Sequence, residues 1–349
     1  MPLPIAIGWG VVALAGVYGA KKGYDGYQDS KEAKRTNLEA KNLYDKAFSS
    51  LKVEKDNTQE SLEKLGNLKL NLYKELIIPT IDMLNRIPEL PTKKEFIFNG
   101  KTIKLPNQND HLEMKKYETS ISDIISGGAK ALGTGGLVGL ATFGGVGTFA
   151  VTTTGTAIAG LSGVAATNAT LAWLGGGALS VGGLGMAGGM AVLGGIVAAP
   201  VLAVAGMVFA SKAEEAKNTA YSNFSLAETS VEELKLAEVR TNGIRRKSDE
   251  MIMTLEKLKD LYLKNLNNLQ NIIYKKGVPQ KISKRSIKTL FIKKEYHLSW
   301  DNKDLETIAV LHSFYETTVN ILEVDLILDN GNVNPEVKNK LDLANELSK

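Results

Sequence analysis

Apolar residues recur at helical spacing in two long, charge-rich parts of the chain. In residues 29–86 the series runs Tyr44, Phe48, Leu51, Thr58, Leu62, Leu65, Leu72 and Leu76. In residues 212–275 it runs Met251, Leu255, Leu258, Tyr262, Leu266, Leu269 and Ile273. Such stripes, with charged residues between them, are typical of coiled-coil seams. We therefore predict two long helices, at 23–92 and 212–276, and expect them to lie antiparallel beside each other.

A small β element interrupts the helical pattern at 93–108. Asn99 and Gly100 separate two β-prone runs, and this dipeptide favours a hairpin because both turn residues take positive φ. A helix at 109–130 is expected to follow. The last region, 277–349, combines a basic, β-prone segment with C-terminal helices, for which Asp301 is a predicted N-cap and Asn334-Pro335 a predicted start.

The centre of the chain carries no charge over residues 131–211, a run of 81 residues that we call the uncharged run. About a quarter of the residues in ordinary domains are charged, so this composition indicates burial in lipid or a segment kept ready for lipid. The run is also glycine-rich, and its small-xxx-small spacings suit close helix packing in a membrane. The glycines assigned to insertion and packing are Gly135, Gly139, Gly155, Gly185, Gly189 and Gly195.

Insertion of the uncharged run is favourable but marginal. It holds 25 Leu, Ile, Val and Phe residues among 81, each contributing roughly −0.3 to −0.6 kcal/mol. Thr148, Thr152 and Thr156 fall on one helical face and are the candidates to line a pore. Their hydroxyls alternatively bond their own helix's carbonyls. We predict a membrane-insertion hairpin at 131–211, in which the first arm faces water in a pore and the second arm faces lipid.

Residues 1–22 are apolar up to Lys21 and Lys22 and are predicted to form an N-terminal helix. A secretory signal would carry its positive charge before the apolar run, so no cleavable signal peptide is expected. This helix either packs against the central hairpin or anchors in a membrane. Bases at both ends of the uncharged run favour the cytoplasmic side for both ends, which implies an even number of crossings.

Residues 261–294 contain nine bases and no acid. Beside a membrane segment such a cluster attracts anionic headgroups, although an ordinary solvated face remains an alternative. With little aromatic interleaving, nucleic acid is not an expected partner. The candidate lipid contacts are Lys275, Lys276, Lys281, Lys284, Arg285, Lys288, Lys293 and Lys294.

No catalytic or metal-binding pattern is visible. The chain has no cysteine, which excludes thiolate chemistry, and His111, His297 and His312 lack the spacing of metal ligands. Residues 183–188 match GxGxxG, but neither a preceding strand nor a suitably placed acid supports dinucleotide binding. We expect no enzyme activity, no cofactor and no metal.

The run that begins Asn168-Ala169-Thr170 and continues through glycine pairs to Gly194-Gly195 resembles a glycine-rich (glycine-zipper) module of bacterial membrane-associated proteins of unknown function. Lys21-Lys22-Gly23-Tyr24-Asp25 is similar to the start of such proteins. An apolar hairpin between long helices also resembles the layout of α-helical pore-forming toxins of the cytolysin A type and of apolipoprotein L-like proteins.

The sequence thus predicts a mainly α fold, with elongated antiparallel coiled-coil helices flanking a glycine-rich apolar hairpin and a small β element. The expected function is insertion into a membrane and oligomeric pore formation or permeabilisation, by a toxin or a cell-suicide or defence effector. The alternative is a membrane scaffold that recruits a soluble partner through its coiled-coil helices. The expected location is the cytoplasm, with the protein associated with or inserted in the bacterial inner membrane, and the expected partners are anionic lipids and further copies of the chain.

Overall fold

The computed structural model describes residues 20–87, 90–91, 94–142, 213–277, 299–328 and 331–349, with side chains from residue 29 onward except 120, 122–136 and 213–216. These residues are mostly helical and include a two-stranded antiparallel sheet, which confirms the predicted mainly α class with a small β element. The chain divides into two compact units. The first unit comprises the described residues of 1–59 and 171–245, and the second comprises those of 60–170 and 246–349.

The described elements follow one another in a simple order. Helix α1 (Ala20–Leu72) continues through a π-helical turn (Tyr73–Ile77) into α2 (Ile78–Leu84). Strands β1 (Glu95–Phe98) and β2 (Lys101–Lys104) lead to α3 (Gln108–Thr142). The later helices are α4 (Ala213–Lys275), α5 (Asn302–Glu323) and α6 (Glu336–Leu347).

In the first unit, α1 and α4 run in the same direction. Lys217 Nζ lies 3.2 Å from Asp29 Oδ1, and Asn223 Nδ2 donates to Asn37 Oδ1 at 3.0 Å. Further along both helices, Ser50 Oγ donates to Glu238 at 2.6 Å. Residue numbers therefore rise together on the two helices. Their shared apolar core comprises Tyr44, Ala47, Leu51, Leu234 and Ala237.

The second unit repeats this parallel direction. Ser61 Oγ donates to Ser248 Oγ at 2.9 Å, Lys259 pairs with Glu75 at 2.6 Å, and Tyr262 donates to Thr80 at 2.9 Å. The antiparallel arrangement expected from the sequence is wrong. A heptad stripe has the same spacing in either direction, so it does not distinguish parallel from antiparallel pairing. Polar residues inside the seam do distinguish them, because each needs a hydrogen-bond partner when buried.

The small sheet is a tight hairpin in the second unit. Asn99 and Gly100 have φ of 48° and 75°, as a two-residue turn between twisted strands requires. Phe96 pairs with Ile103 across the sheet. The turn is held by Asn99 Nδ2, which donates to the Leu347 carbonyl of α6 at 2.9 Å. The Asn99-Gly100 dipeptide therefore forms the hairpin turn and also attaches the hairpin to α6.

Helix α5 begins at the predicted cap. The Asp301 carboxylate accepts from the Asp304 backbone N–H at 2.8 Å, and the Asp304 side chain accepts from the Asp301 N–H. This reciprocal pair is a capping box, which satisfies two N–H groups that the first helical turn leaves without intrahelical acceptors.

Helix α3 bends along its length. Tyr117 donates to Glu323, whereas Leu326 N donates to the Thr142 carbonyl at 2.8 Å. A straight helix would separate Tyr117 from Thr142 by roughly 37 Å, but three residues of α5 and its extension span at most about 11 Å. Side-chain lengths do not make up the difference. The intervening section carries six glycines, and glycine is a common cause of sharp helix bends.

Several sequence predictions fall outside the described residues. They include the N-terminal helix as far as residue 19, the insertion hairpin from residue 143 to its end, and the basic β-prone segment from 278 to 298. Residues 131–142 of the uncharged run form the end of α3.

The parallel direction can be tested by cross-linking, because the chain has no native cysteine. We expect Ser50→Cys/Glu238→Cys and Ser61→Cys/Ser248→Cys each to form an intramolecular link with a short bismaleimide, since both pairs are in contact. An antiparallel alignment that placed 61 opposite 248 would place 50 opposite 259. Peptide mapping that finds only one of the two links would therefore contradict the parallel pairing.

Candidate functional site

The folded part of the chain meets the uncharged run at the end of α3. Leu140, Ala141 and Thr142 are fully buried in the second unit, and Leu137 and Val138 are nearly so. Apolar burial of this kind is favourable without any charged partner. Residues 137–142 of the uncharged run are therefore largely enclosed by protein.

The last carbonyl of α3 is held by backbone groups. Leu326 N and Ile327 N both donate to the Thr142 carbonyl, at 2.8 and 3.3 Å. The Thr142 hydroxyl donates back to the Val138 carbonyl at 2.9 Å. These contacts supply backbone donors to the last described carbonyl of α3.

Lys69 of α1 holds the preceding carbonyl. Its side chain is fully buried, and Nζ donates to the Ala141 carbonyl at 3.4 Å and to the Leu322 carbonyl at 3.1 Å. Ala141 lies in the last turn of α3 and Leu322 in the last turn of α5. The C-terminus of a helix carries partial negative charge. One ammonium thus contacts a backbone carbonyl of each of two helices, α3 and α5.

The surroundings of Lys69 are polar and acidic. Glu323 accepts from Tyr73 Oη at 3.0 Å and from Tyr117 Oη. Burial lowers the pKa of Lys69 to about 8, while the negative charges of Glu323 and Asp325 oppose this shift. Burial also raises the pKa of Tyr117, and nearby Tyr73 and Glu323 raise it further. Tyr117 therefore stays protonated and donates to the carboxylate.

Gly66 lets α3 approach α1 closely. A Cβ atom at this position would lie 2.1 Å from the Leu137 carbonyl oxygen, far inside the van der Waals limit. Because that atom belongs to the backbone, no side-chain rotation relieves the clash. We call Gly66, Lys69 and the N–H groups of Leu326 and Ile327 the α3 clamp.

The α3 clamp is suited to holding a helix end rather than to chemistry on a bound molecule. Its ammonium and backbone N–H groups point at protein acceptors inside a packed region. Among the described residues, no group of three or more acidic or histidine side chains is placed to bind a metal ion. Within the same residues, no helix combines the length and apolarity needed to cross a membrane.

Few of the candidate residues from the sequence fall in the described part. Gly135 and Gly139 lie in α3, and Lys275 is exposed at the end of α4. Lys276 pairs with Asp304 at 2.8 Å and lies over the Trp300 ring, so its charge serves an internal contact. The remaining candidates lie outside the described residues: Gly155, Gly185, Gly189, Gly195, Thr148, Thr152, Thr156, Lys281, Lys284, Arg285, Lys288, Lys293 and Lys294.

Sequence reasoning missed Lys69, although a signal was present. Lys69 continues the seam spacing of Leu62, Leu65, Leu72 and Leu76 in steps of three and four. A lysine at a seam position is expected either to extend its charge to solvent or to find a buried partner. The partners here come from α3 and α5, more than 70 residues away along the chain.

No protein-family model, no curated protein and no solved structure matches this chain.

Lys69 should make stability depend on pH. Its pKa is about 8 in the folded protein, against an ordinary lysine value of 10.5. Between these values the unfolded chain binds more protons, so the free energy of unfolding rises with pH. The full effect on the free energy of unfolding is about 3 kcal/mol.

Urea unfolding at pH 7.5 to 10 should show this rise in the wild type. Lys69→Met should lack this rise, whereas Lys64→Met, at an exposed position, should retain it. An equal rise of the free energy of unfolding with pH in the wild type and in Lys69→Met would contradict the low pKa of Lys69.

Gly66→Ala should destabilise the second unit. Alanine gains up to about 1 kcal/mol of helix propensity over glycine, but overpacking against a fixed backbone costs typically 1–3 kcal/mol and here the overlap is severe. The matched control is Gly243→Ala in α4, where an added Cβ meets nothing within 4 Å. Circular dichroism during urea unfolding should show Gly66→Ala weakened and Gly243→Ala unchanged or stabilised. Equal stabilisation of both would contradict the close approach.

Proposed function

We propose that the protein inserts its uncharged run into a membrane and oligomerises there to permeabilise it. The observation that carries this proposal is the absence of any charged residue over residues 131–211. Protein surfaces require charge at ordinary density, whereas lipid excludes it. The glycines in the run favour close helix contacts in lipid, where apolar burial alone does not drive association.

The boundaries of the run support this proposal. Before it, α3 is held in the second unit through the α3 clamp. After it, Lys217 in the first unit pairs with Asp29 and Glu32 of α1 at 3.2 and 2.9 Å. The described residues on each side of the uncharged run are therefore charged and folded.

The scaffold alternative is less favoured by the helix pairing. A scaffold that recruits a partner through the seams of α1 and α4 would need those seams to be available. Both seams already face each other within one chain, through Leu51 and Leu234 in the first unit and Ser61 and Ser248 in the second. A partner would have to use the outer faces, where Val53 and Val239 are exposed.

The bases that flank the uncharged run favour one location for both ends. Positive residues near membrane segments prefer the cytoplasmic side. We therefore place the folded units on the cytoplasmic face of a bacterial inner membrane. An effector that permeabilises its own cell's membrane, in growth arrest or defence, fits this location.

Dye release from anionic liposomes tests permeabilisation. We expect the wild type to release the dye and Gly185→Glu to lose this activity. A charge at the centre of a membrane segment costs about 3 kcal/mol, which is comparable with the marginal gain from inserting a segment. Val239→Glu, at a position 69% exposed on α4, is the matched control and should release dye like the wild type.

Two results would contradict permeabilisation. Retention of dye with intact protein across pH and lipid composition would remove the pore hypothesis. Liposome binding without dye release, together with recovery of one specific protein partner, would instead support the scaffold.

A further inference from the structure

The uncharged run and the folded second unit overlap. Residues 131–142 belong to both, because the run begins within α3 and α3 ends at Thr142. The last six of these residues are almost entirely enclosed by protein. Two arrangements of an inserted run can therefore be compared. In one, residues 131–142 stay packed in the second unit; in the other, they leave it and enter the membrane.

Apolar side chains do not decide between the two arrangements. Leu137, Val138 and Leu140 are out of water in the second unit and would equally be out of water in lipid. The free-energy difference between the two arrangements must therefore come from polar groups. In a helix that continues into lipid, each carbonyl is satisfied by an N–H of its own helix, so α3 itself would keep its hydrogen bonds on release.

Release of residues 131–142 would therefore break the hydrogen bonds of the α3 clamp. Lys69 Nζ would leave the Ala141 carbonyl, and the N–H groups of Leu326 and Ile327 would leave the Thr142 carbonyl. Of these groups only Lys69 carries a charge, and a hydrogen bond from a charged donor is typically the strongest kind in such a set.

We propose that Lys69 restrains membrane insertion by holding the last turn of α3 in the second unit, and that breaking this contact lets residues 131–142 join the inserted part of the run. This inference rests on the proposed function. The ammonium bridges the ends of α3 and α5, so its removal leaves two buried carbonyls without that donor and takes a positive charge away from Glu323. Both effects weaken the attachment.

Hydrogen exchange measures the attachment without a membrane. The amides of Leu326 and Ile327 are reporters because both donate to Thr142. We expect Lys69→Met to accelerate their exchange about tenfold or more, since losing a hydrogen bond from a charged group costs at least that factor. Lys64→Met on the same helix, whose side chain is 65% exposed, should leave these amides unchanged.

The middle of α5 separates local release from general unfolding. Ile308 and Leu311 are fully buried there, and their amides should keep their wild-type exchange in Lys69→Met. If the whole of α5 exchanges faster, the variant has unfolded. The disulfide experiment described next then tests the restraint in its place.

The reverse experiment locks the helix end. Thr142→Cys/Leu326→Cys joins two residues whose backbones are hydrogen-bonded at 2.8 Å, within reach of a disulfide. The oxidised protein should release liposome dye more slowly than the wild type, and reduction should restore the rate. Lys69→Met should release dye faster than the wild type.

The outcomes separate this inference from the proposed function. Unchanged exchange at Leu326 and Ile327 in a folded Lys69→Met, or equal dye release by the oxidised and reduced disulfide variants, would overturn the restraint while wild-type leakage stands. If no form of the protein releases dye, the proposed function fails and the role of Lys69 in insertion fails with it.

Discussion

The parallel pairing of α1 with α4 constrains the rest of the chain. Two helices of one chain that run in the same direction require the residues between them to return toward the start of the first. The polar contacts within each unit, such as Asn37 with Asn223 and Ser61 with Ser248, allow one register, because a shift would bury these groups without partners. The hairpin and α3 belong to this return. The described residues before the uncharged run belong to the second unit, and those that follow it belong to the first.

Within the second unit, Gly66 and Lys69 act as one interface. They lie three residues apart on α1 and so share a face. Leu137 and Ala141, four residues apart, share a face of α3. The missing Cβ of Gly66 allows backbone contact with Leu137, and this approach brings the Ala141 carbonyl within reach of Lys69 one turn further along. A buried ammonium is costly; the backbone carbonyls of α3 and α5 and the nearby carboxylates offset part of that cost.

Local signals in the sequence predicted local structure well. The Asn99-Gly100 turn and the Asp301 cap depend on a few adjacent residues, and both occur. Helix direction was not predictable from the seams, because a heptad reads alike in both directions. The Lys69 site depends on α3 and α5, which only tertiary packing brings together. The overlap of the proposed membrane segment with α3 was equally hard to predict, since the apolar residues at 137–142 suit a protein core and a bilayer alike.

That ambiguity bears on how the uncharged run can act. A 20-residue segment of this composition gains about 2 to 4 kcal/mol from its larger apolar residues on insertion, before glycine and hydroxyl groups reduce it. A hydrogen bond to a charged group is worth about 1.5–3 kcal/mol. Because the two quantities are of similar size, under the proposed insertion one ammonium contact would be sufficient to influence where residues 131–142 lie. A strongly apolar run would enter lipid regardless of Lys69, and a more polar one would not enter at all; control by a single buried lysine requires the marginal composition that this chain has.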